Sequence, residues 1–463
     1  MTAPPDEDHD GEWRVRSVDV AEDQVPVSVS IGLWGPSDEV FFAYDARDRM
    51  DDRNDRQHSL WLEHGRCSDQ DGCAQYTSID SVRMDGGESL TWDQKNIPSI
   101  AVGVRADGSR EVSVVHRKKA EEDCDEDGVT VGEATERNDE VLSLGMWQSV
   151  YVQGAAPFER SIDDNVGTGF CRDRGQGFTR YGDGEIRSCW RIQSQLMGDN
   201  AINCGSAPAL GVGGPGPWTV EGLMPLASVE DHVWFDWLPT AQNGSLERVL
   251  VHHAGDGDRH AILVRFPDDP TDTPVWFPAP EGSMKVDHPS VQRDGGVVRV
   301  LWQQEMETAG ERSILLGQCD LAAPDGCTEQ GWGTPENVAT GRLAAFPQLV
   351  AEGEYQVVVY QAKIPVGQGE PAAGKLRVMF SERCGVSPWS EPRMVDDMSA
   401  AWQDPEMHQA IQLGTPALAL NRDEGLLHIA YISSDTEAGE HTAVGGILHA
   451  VRPVPGCPLD DPL

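Results

Sequence analysis

The sequence is poor in lysine, poor in aromatic residues and without a long apolar run. Six Lys and 30 Arg stand against 77 Asp+Glu, for a net charge of −41. A nucleic-acid surface needs a basic stripe to displace counterions from phosphate, and this balance excludes one. Docking on anionic lipid is excluded on the same ground. No apolar stretch approaches the roughly 20 residues of a membrane-spanning helix. The first residues, MTAPPDEDHDGEW, lack the basic-then-apolar pattern of an export signal. Long helical periodicity is scarce. No GxSxG elbow, Walker loop, HExxH or dinucleotide fingerprint occurs, so those chemistries have no signature here.

What is present is a chain of 463 residues with 49 Gly, 30 Pro and 14 Trp. Trp and β-branched clusters recur along its whole length, which excludes full disorder. The length accommodates two or three domains or one large repeat array. Ten cysteines are distributed through it. Cys67 and Cys73 enclose SDQDG, and Cys319 and Cys327 enclose DLAAPDG; Asp and Gly turn a chain easily. Both pairs read as disulfide-closed loops. Zinc is the rival reading, but CxxC is absent and His does not recur at ligand spacing. Disulfides imply an oxidising compartment, extracellular, periplasmic or at the cell surface, with an export signal lying outside this sequence.

Short alternating runs bounded by Gly, Pro and Asp dominate the chain, the mark of many short strands. Aligned with one another, they repeat. A first element begins at Pro26, Pro98, Pro289, Pro347 and Pro416. It holds an apolar alternation, a turn rich in Gly, Asp or Glu, and a second alternation ending at Tyr44, His116, Trp302, Tyr360 or Tyr431. This is a hairpin, with Pro placed where a strand starts. A second element is an apolar strand running into Cys67, Cys319, Cys384 or Cys457, followed in two copies by a Trp (Trp332, Trp389). One unit is therefore four strands. Units repeating about an axis make an all-β propeller.

The expectation is a single propeller over residues 11–457, with blades starting near 26, 98, 147, 231, 289, 347 and 416. Seven blades are expected, with six and eight as alternatives. Residues 1–10 read as a disordered acidic leader and 458–463 as a tail. The last unit has only three strands, and Glu12-Trp13-RVRSVDV supplies the missing fourth. The N-terminal strand is expected to pair into the last blade and close the ring, which leaves no open edge at the join.

At this point the repeats resemble the sialidase-like propeller superfamily, whose blades carry an Asp-box between their third and fourth strands. Cys384-GVSPWSEP and Cys327-TEQGWGTP occupy that place, with Trp389 and Trp332 matching the box Trp; its Ser, Asp and Gly are largely missing. The resemblance implies an arginine triad, a Tyr/Glu pair and an acid/base Asp in catalytic members. It also implies an Arg-Ile-Pro motif in the first blade, where this chain has Val25-Pro26-Val27. Sialidase activity is therefore not carried over.

Loops leaving the second strand of each unit project to one face, where propellers hold ligands. The candidate ligand-binding residues are Asp45, Arg117, His288, Gln303 and Gln361. Tyr44, Trp302, Tyr360 and Tyr431 either frame that face or fill the contacts between blades. Asp123, Asp125, Asp127 and Glu133 resemble a calcium loop around Gly128, although Ala134 stands where the bidentate Glu belongs. His252, His253 and His260 group with Asp256 and Asp258, but neighbours on a strand point to opposite faces and cannot share one metal without a bulge. With 77 acids no catalytic carboxylate pair can be singled out. The expected function is a secreted or cell-surface module that binds a glycan or protein without catalysis. One alternative is a sialidase-like glycoside hydrolase. Another is a structural subunit of a surface assembly with a Trp-rich rim at Trp234, Trp237 and Trp276.

Overall fold

The computed structural model describes residues 13–21, 24–34, 39–48, 57–68, 73, 75–85, 90–91, 98–105, 109–119, 144–163, 177–182, 185–194, 199–208, 217–225, 235–238, 249–256, 259–266, 274–279, 283–306, 311–323, 325–363, 376–395, 416–422, 424–432, 446–455 and 457. Among them there is no helix. The chain is a seven-bladed β-propeller of four-stranded antiparallel blades.

The N-terminal strand β1 (Arg14–Val18) is set aside for the last blade. Blade one is β2 (Gln24–Trp34), β3 (Glu39–Asp48), β4 (Gln57–Ser68) and β5 (Gln75–Arg83), with β6 (Leu90–Thr91) added on β4. Blade two is β7 (Ser99–Val104), β8 (Arg110–Lys119), β9 (Leu144–Tyr151) and β10 (Phe158–Asp163). Blade three is β11 (Gly177–Gly182), β12 (Glu185–Ser194), β13 (Asp199–Pro208) and β14 (Thr219–Pro225). Residue 147, read from sequence as near the start of a unit, thus lies in the third strand of blade two, because the segment before it is too long for a simple turn.

Blade four is β15 (Phe235–Leu238), β16 (Val249–Asp256), β17 (Arg259–Arg265) and β18 (Val275–Pro278). Blade five is β19 (Ser283–Asp294), β20 (Val297–Met306), β21 (Glu311–Asp320) and the first part of β22 (Glu336–Glu352). The second part of β22 opens blade six, which continues through β23 (Tyr355–Lys363), β24 (Leu376–Cys384) and β25 (Arg393–Met394). Blade seven is β26 (Ala417–Asn421), β27 (Leu426–Ile432), β28 (Ile447–Pro453) and β1. The inner strands β2, β7, β11, β15, β19, β22 and β26 each touch the next, and β2 touches β26, so the ring is closed.

Closure follows the expected route. β1 runs antiparallel to β28, with Arg14 opposite Val451 and Val18 opposite Ile447. Trp13 is buried and meets Phe380 of blade six edge-on at 5.4 Å. Arg452 lies over both rings, 5.0 Å from each. Antiparallel pairing at the join satisfies the two edges that an open ring would expose.

The core is a set of layers between blades. Tyr44, Trp302, Tyr360 and Tyr431 are all essentially inaccessible and lie in these layers, so they fill contacts between blades and do not frame a ligand face. Tight turns join the first and second strands of blades five and six at Gly295 (φ 55°) and Gly353 (φ 56°), a backbone region that residues with a Cβ avoid. Pro98 and Pro416 stand just before β7 and β26, where a strand start was expected. Pro289 and Pro347 instead lie within strands, each among two residues that a bulge leaves out of the ladder, and Pro26 pairs with Ala46 just before the bulge at Val27. A bulge leaves a backbone position unpaired, which suits a residue without an N–H.

Four disulfides link described cysteines. Cys67–Cys73 and Cys319–Cys327 close the two loops expected from sequence. Cys189–Cys204 staples directly opposed residues of β12 and β13. Cys384–Cys457 ties blade six to the chain beyond blade seven. No described helix is long and apolar enough to cross a membrane.

Candidate functional site

Antiparallel order puts the start of each inner strand and the end of each second strand on the same face of the ring. On blades four to six that face carries a concentrated polar cluster. Its scaffold is two bulges with the same unusual backbone. His288 (φ 50°) precedes Pro289, and Phe346 (φ 55°) precedes Pro347. Left-handed conformations are costly for bulky residues and persist where surrounding structure over-determines them. Here the two rings meet edge-on, centroids 4.6 Å apart, and so hold each other across the junction of blades five and six.

Charged groups surround this pair. Lys285 Nζ lies 2.8 Å from Asp287 Oδ2, and His288 Nδ1 lies 3.6 Å from the same oxygen. Burial opposes ionisation of Asp287, but His288 and Lys285 outweigh it and hold the carboxyl below its ordinary value. Burial, the largest influence on His288, lowers its imidazole to about 3 despite the attraction of Asp287. Opposite Lys285 in the ladder is Glu305, whose carboxylate meets Arg312 at 3.4 Å. From blade four, His253 contacts His260 at 3.3 Å and acts electrostatically on both Asp287 and His288. His253 and His288 are buried, whereas His260, Lys285, Glu305 and Arg312 are partly accessible.

Two side chains fasten this face together. The Gln303 amide oxygen accepts the Phe346 backbone N–H at 3.2 Å, joining blade five to blade six. Asp236 accepts the Trp237 N–H and the Val291 N–H, each at 2.8 Å, joining blade four to blade five. Both are buried.

The five residues singled out from sequence occupy this face in different ways. His288 and Gln303 lie in the cluster, Gln303 as a fastening between blades. Gln361 is buried opposite Ala345, next to Phe346. Asp45 is fully buried in blade one opposite Ser28, at the bulge after Pro26. Arg117 lies in β8 of blade two, opposite Met146. Asp45 and Arg117 are therefore in other blades from the cluster. Asp123, Asp125, Asp127 and Glu133 lie outside the described residues. His252 and His253 sit in an unbulged ladder and so point to opposite faces. Sequence reasoning missed Lys285, Asp287, Arg312 and Phe346. The signal available was the residue pair before each inner-strand Pro, which a bulge turns towards the neighbouring blade.

Among the described residues, the only grouping with metal-ligand proximity is Cys67, Cys73 and His449, and its two sulfurs are joined as a disulfide.

No family model matches the chain, and no curated protein matches it. Solved structures similar to it include the NanB sialidase from Streptococcus pneumoniae, 11% identical, covering 94% of this chain and 70% of that one with a TM-score of 0.37. A thermostable family-43 glycoside hydrolase is 12% identical, covering 60% and 88% with a TM-score of 0.34. A B. megaterium levansucrase variant is 10% identical, covering 84% and 85% with a TM-score of 0.31. The propeller assignment itself rests on the strand pairing of this chain.

Proposed function

We propose that this propeller is an extracellular or cell-surface binding module for a glycan, and that the ligand sits on the face of blades four to six around His288 and Phe346. The observation that supports it is how the carboxylates there are already used. Asp287 is bonded to Lys285, Glu305 to Arg312, and Asp236 to two backbone amides. Glycoside hydrolysis needs two carboxyl groups flanking the scissile bond, one to protonate and one to attack or activate water. A carboxylate committed to a neighbouring cation or amide is suited to orienting hydroxyls instead. Partly accessible ammonium, guanidinium and imidazole groups of Lys285, Arg312 and His260, held around the buried His288–Phe346 pair, offer donors to the hydroxyls of a sugar. The disulfides support an oxidising location. The rim of tryptophans that would favour a structural subunit is reduced among the described residues: Trp237 is buried, and Trp276 is half exposed.

The test is a glycan-array screen beside a panel of chromogenic glycosides, using the protein and a Lys285→Ala, Arg312→Ala double variant. Binding that drops at least tenfold in the variant, without turnover of any glycoside, is the expected result. Turnover, or array binding indifferent to the double substitution, rejects this reading.

A further inference from the structure

The Trp-bearing segment that follows a cysteine occurs in blades five and six, and its two copies have opposite surroundings. Trp332 is core: it is 6% exposed, its indole N–H donates to the Cys327 carbonyl at 3.0 Å, and Phe277 meets it edge-on at 5.2 Å. Trp389 is only half buried, and its indole N–H is directed across a gap to Glu336 Oε2 of blade five at 3.4 Å. The Arg383 guanidinium lies 4.5 Å from the Trp389 ring centroid. Arg383 is itself fixed, by Glu336 at 2.5 Å and by the Gln356 amide oxygen at 3.1 and 3.3 Å. The indole is thereby held at one orientation by a buried cation and a carboxylate.

The gap is a cleft of about 720 Å³ between the outer strand of blade five, Glu336–Thr340, and the loop of blade six that carries Trp389. Its size is that of a small-molecule site. It is separate from the cluster around His288, which lies at the inner strands.

We propose that this cleft is a second carbohydrate site and that it takes a neutral β-linked pyranoside. A pyranose with equatorial hydroxyls has a flat C–H face that packs on a fixed indole, while its hydroxyl edge needs donors and acceptors in one plane. The cleft supplies both. Beside the indole stand the half-exposed Glu336 carboxylate, the Asn337 carboxamide and the Thr340 hydroxyl, the last two already aligned by a 2.9 Å hydrogen bond. Charge decides between neutral and acidic sugars. Arg383 is spent on Glu336, Glu336 repels a carboxylated ring, and the net charge of −41 opposes any polyanion.

Saturation-transfer NMR with cellotriose, xylotriose and β-1,4-galactotriose tests the assignment. At least one should receive saturation at its ring C–H protons. Affinity should fall at least tenfold in Trp389→Ala and measurably in Asn337→Ala, and stay unchanged in Arg422→Ala, an exposed position of blade seven outside both sites; Lys285→Ala is measured beside them. Asn337 is exposed, so that variant decides the matter should Trp389→Ala fail to fold. No binding of any of the three probes, or binding retained in both cleft variants, overturns the proposal. Loss in Lys285→Ala with retention in Trp389→Ala also overturns it, because the sugar then belongs to the face around His288; a failed array screen there leaves the cleft result standing.

Discussion

Gln303 and Asp236 perform the same task in adjacent blades. Each accepts a backbone N–H from the inner strand of the next blade, at Phe346 and Val291. A bulge takes the Phe346 amide out of the ladder, whereas Val291 stays in register with Val300; a buried donor without an acceptor costs about 1–3 kcal/mol. Gln303→Leu, which keeps bulk and loses the acceptor, should lower stability by that amount, read as a shift of the urea midpoint with unchanged slope. Asp236→Leu leaves two amides without their acceptor and should cost more than Gln303→Leu. Equal stability of the Gln303 variant and the parent would show that Phe346 finds another partner.

At the scale of elements, the join between the chain ends concentrates stability. Trp13 packs on Phe380 beneath Arg452, and β1 has only five residues to hold its place. Truncating a buried Trp costs about 3–5 kcal/mol. Trp13→Ala should therefore lower the melting temperature, and hydrogen exchange should show β28 losing protection before the inner strands of blades five and six. The Cys384–Cys457 bond secures the same join from outside, across 73 residues of sequence. In the chain-entropy account a loop of that length is worth about 4 kcal/mol. The Cys384→Ser, Cys457→Ser double variant should lose stability on that order in chemical denaturation. Breaking the short Cys319–Cys327 loop should lose less, since loop-closure entropy grows with length.

For the whole molecule, buried imidazoles set the acid limit. Burial lowers His252 to about 4 and, with the nearby Arg16, His428 to about 3; burial also holds His449 well below its ordinary value. An unfolded imidazole takes up its proton near 6.5, and buried His252 does so only near 4. Between those values the unfolded state binds more protons, so stability is full above pH 6.5 and declines as pH falls towards 4. His252 alone contributes about 3 kcal/mol to that decline. Urea midpoints at pH 7.5, 6.0, 5.0 and 4.5 should fall steadily, and His252→Gln should flatten the fall. A parent curve flat across that range would mean these imidazoles are protonated in the folded state.

The repeat was legible because a blade is local. Alternation, a Gly turn and a terminal aromatic recur at each hairpin, and period-two patterning fixes which residues face the neighbouring blade. The missing strand of the last unit pointed to Trp13, since a four-strand count leaves one edge to fill. The same locality paired Cys67 with Cys73 and Cys319 with Cys327. What stayed hidden depended on contacts between blades. Phe346 meets His288 only because two bulges turn adjacent inner strands towards each other, and Gln303 reads as a surface polar residue until the amide it serves is in view. Trp332 and Trp389 stand in the same motif, yet one is core and the other lines a cleft, because the outer strand of the adjacent blade lies differently against each. Sequence determined the toroid and its closure, through patterns that each chain segment carries by itself. Tertiary structure decided where a ligand could sit, because every candidate surface is assembled from two or more blades that the chain reaches at different times.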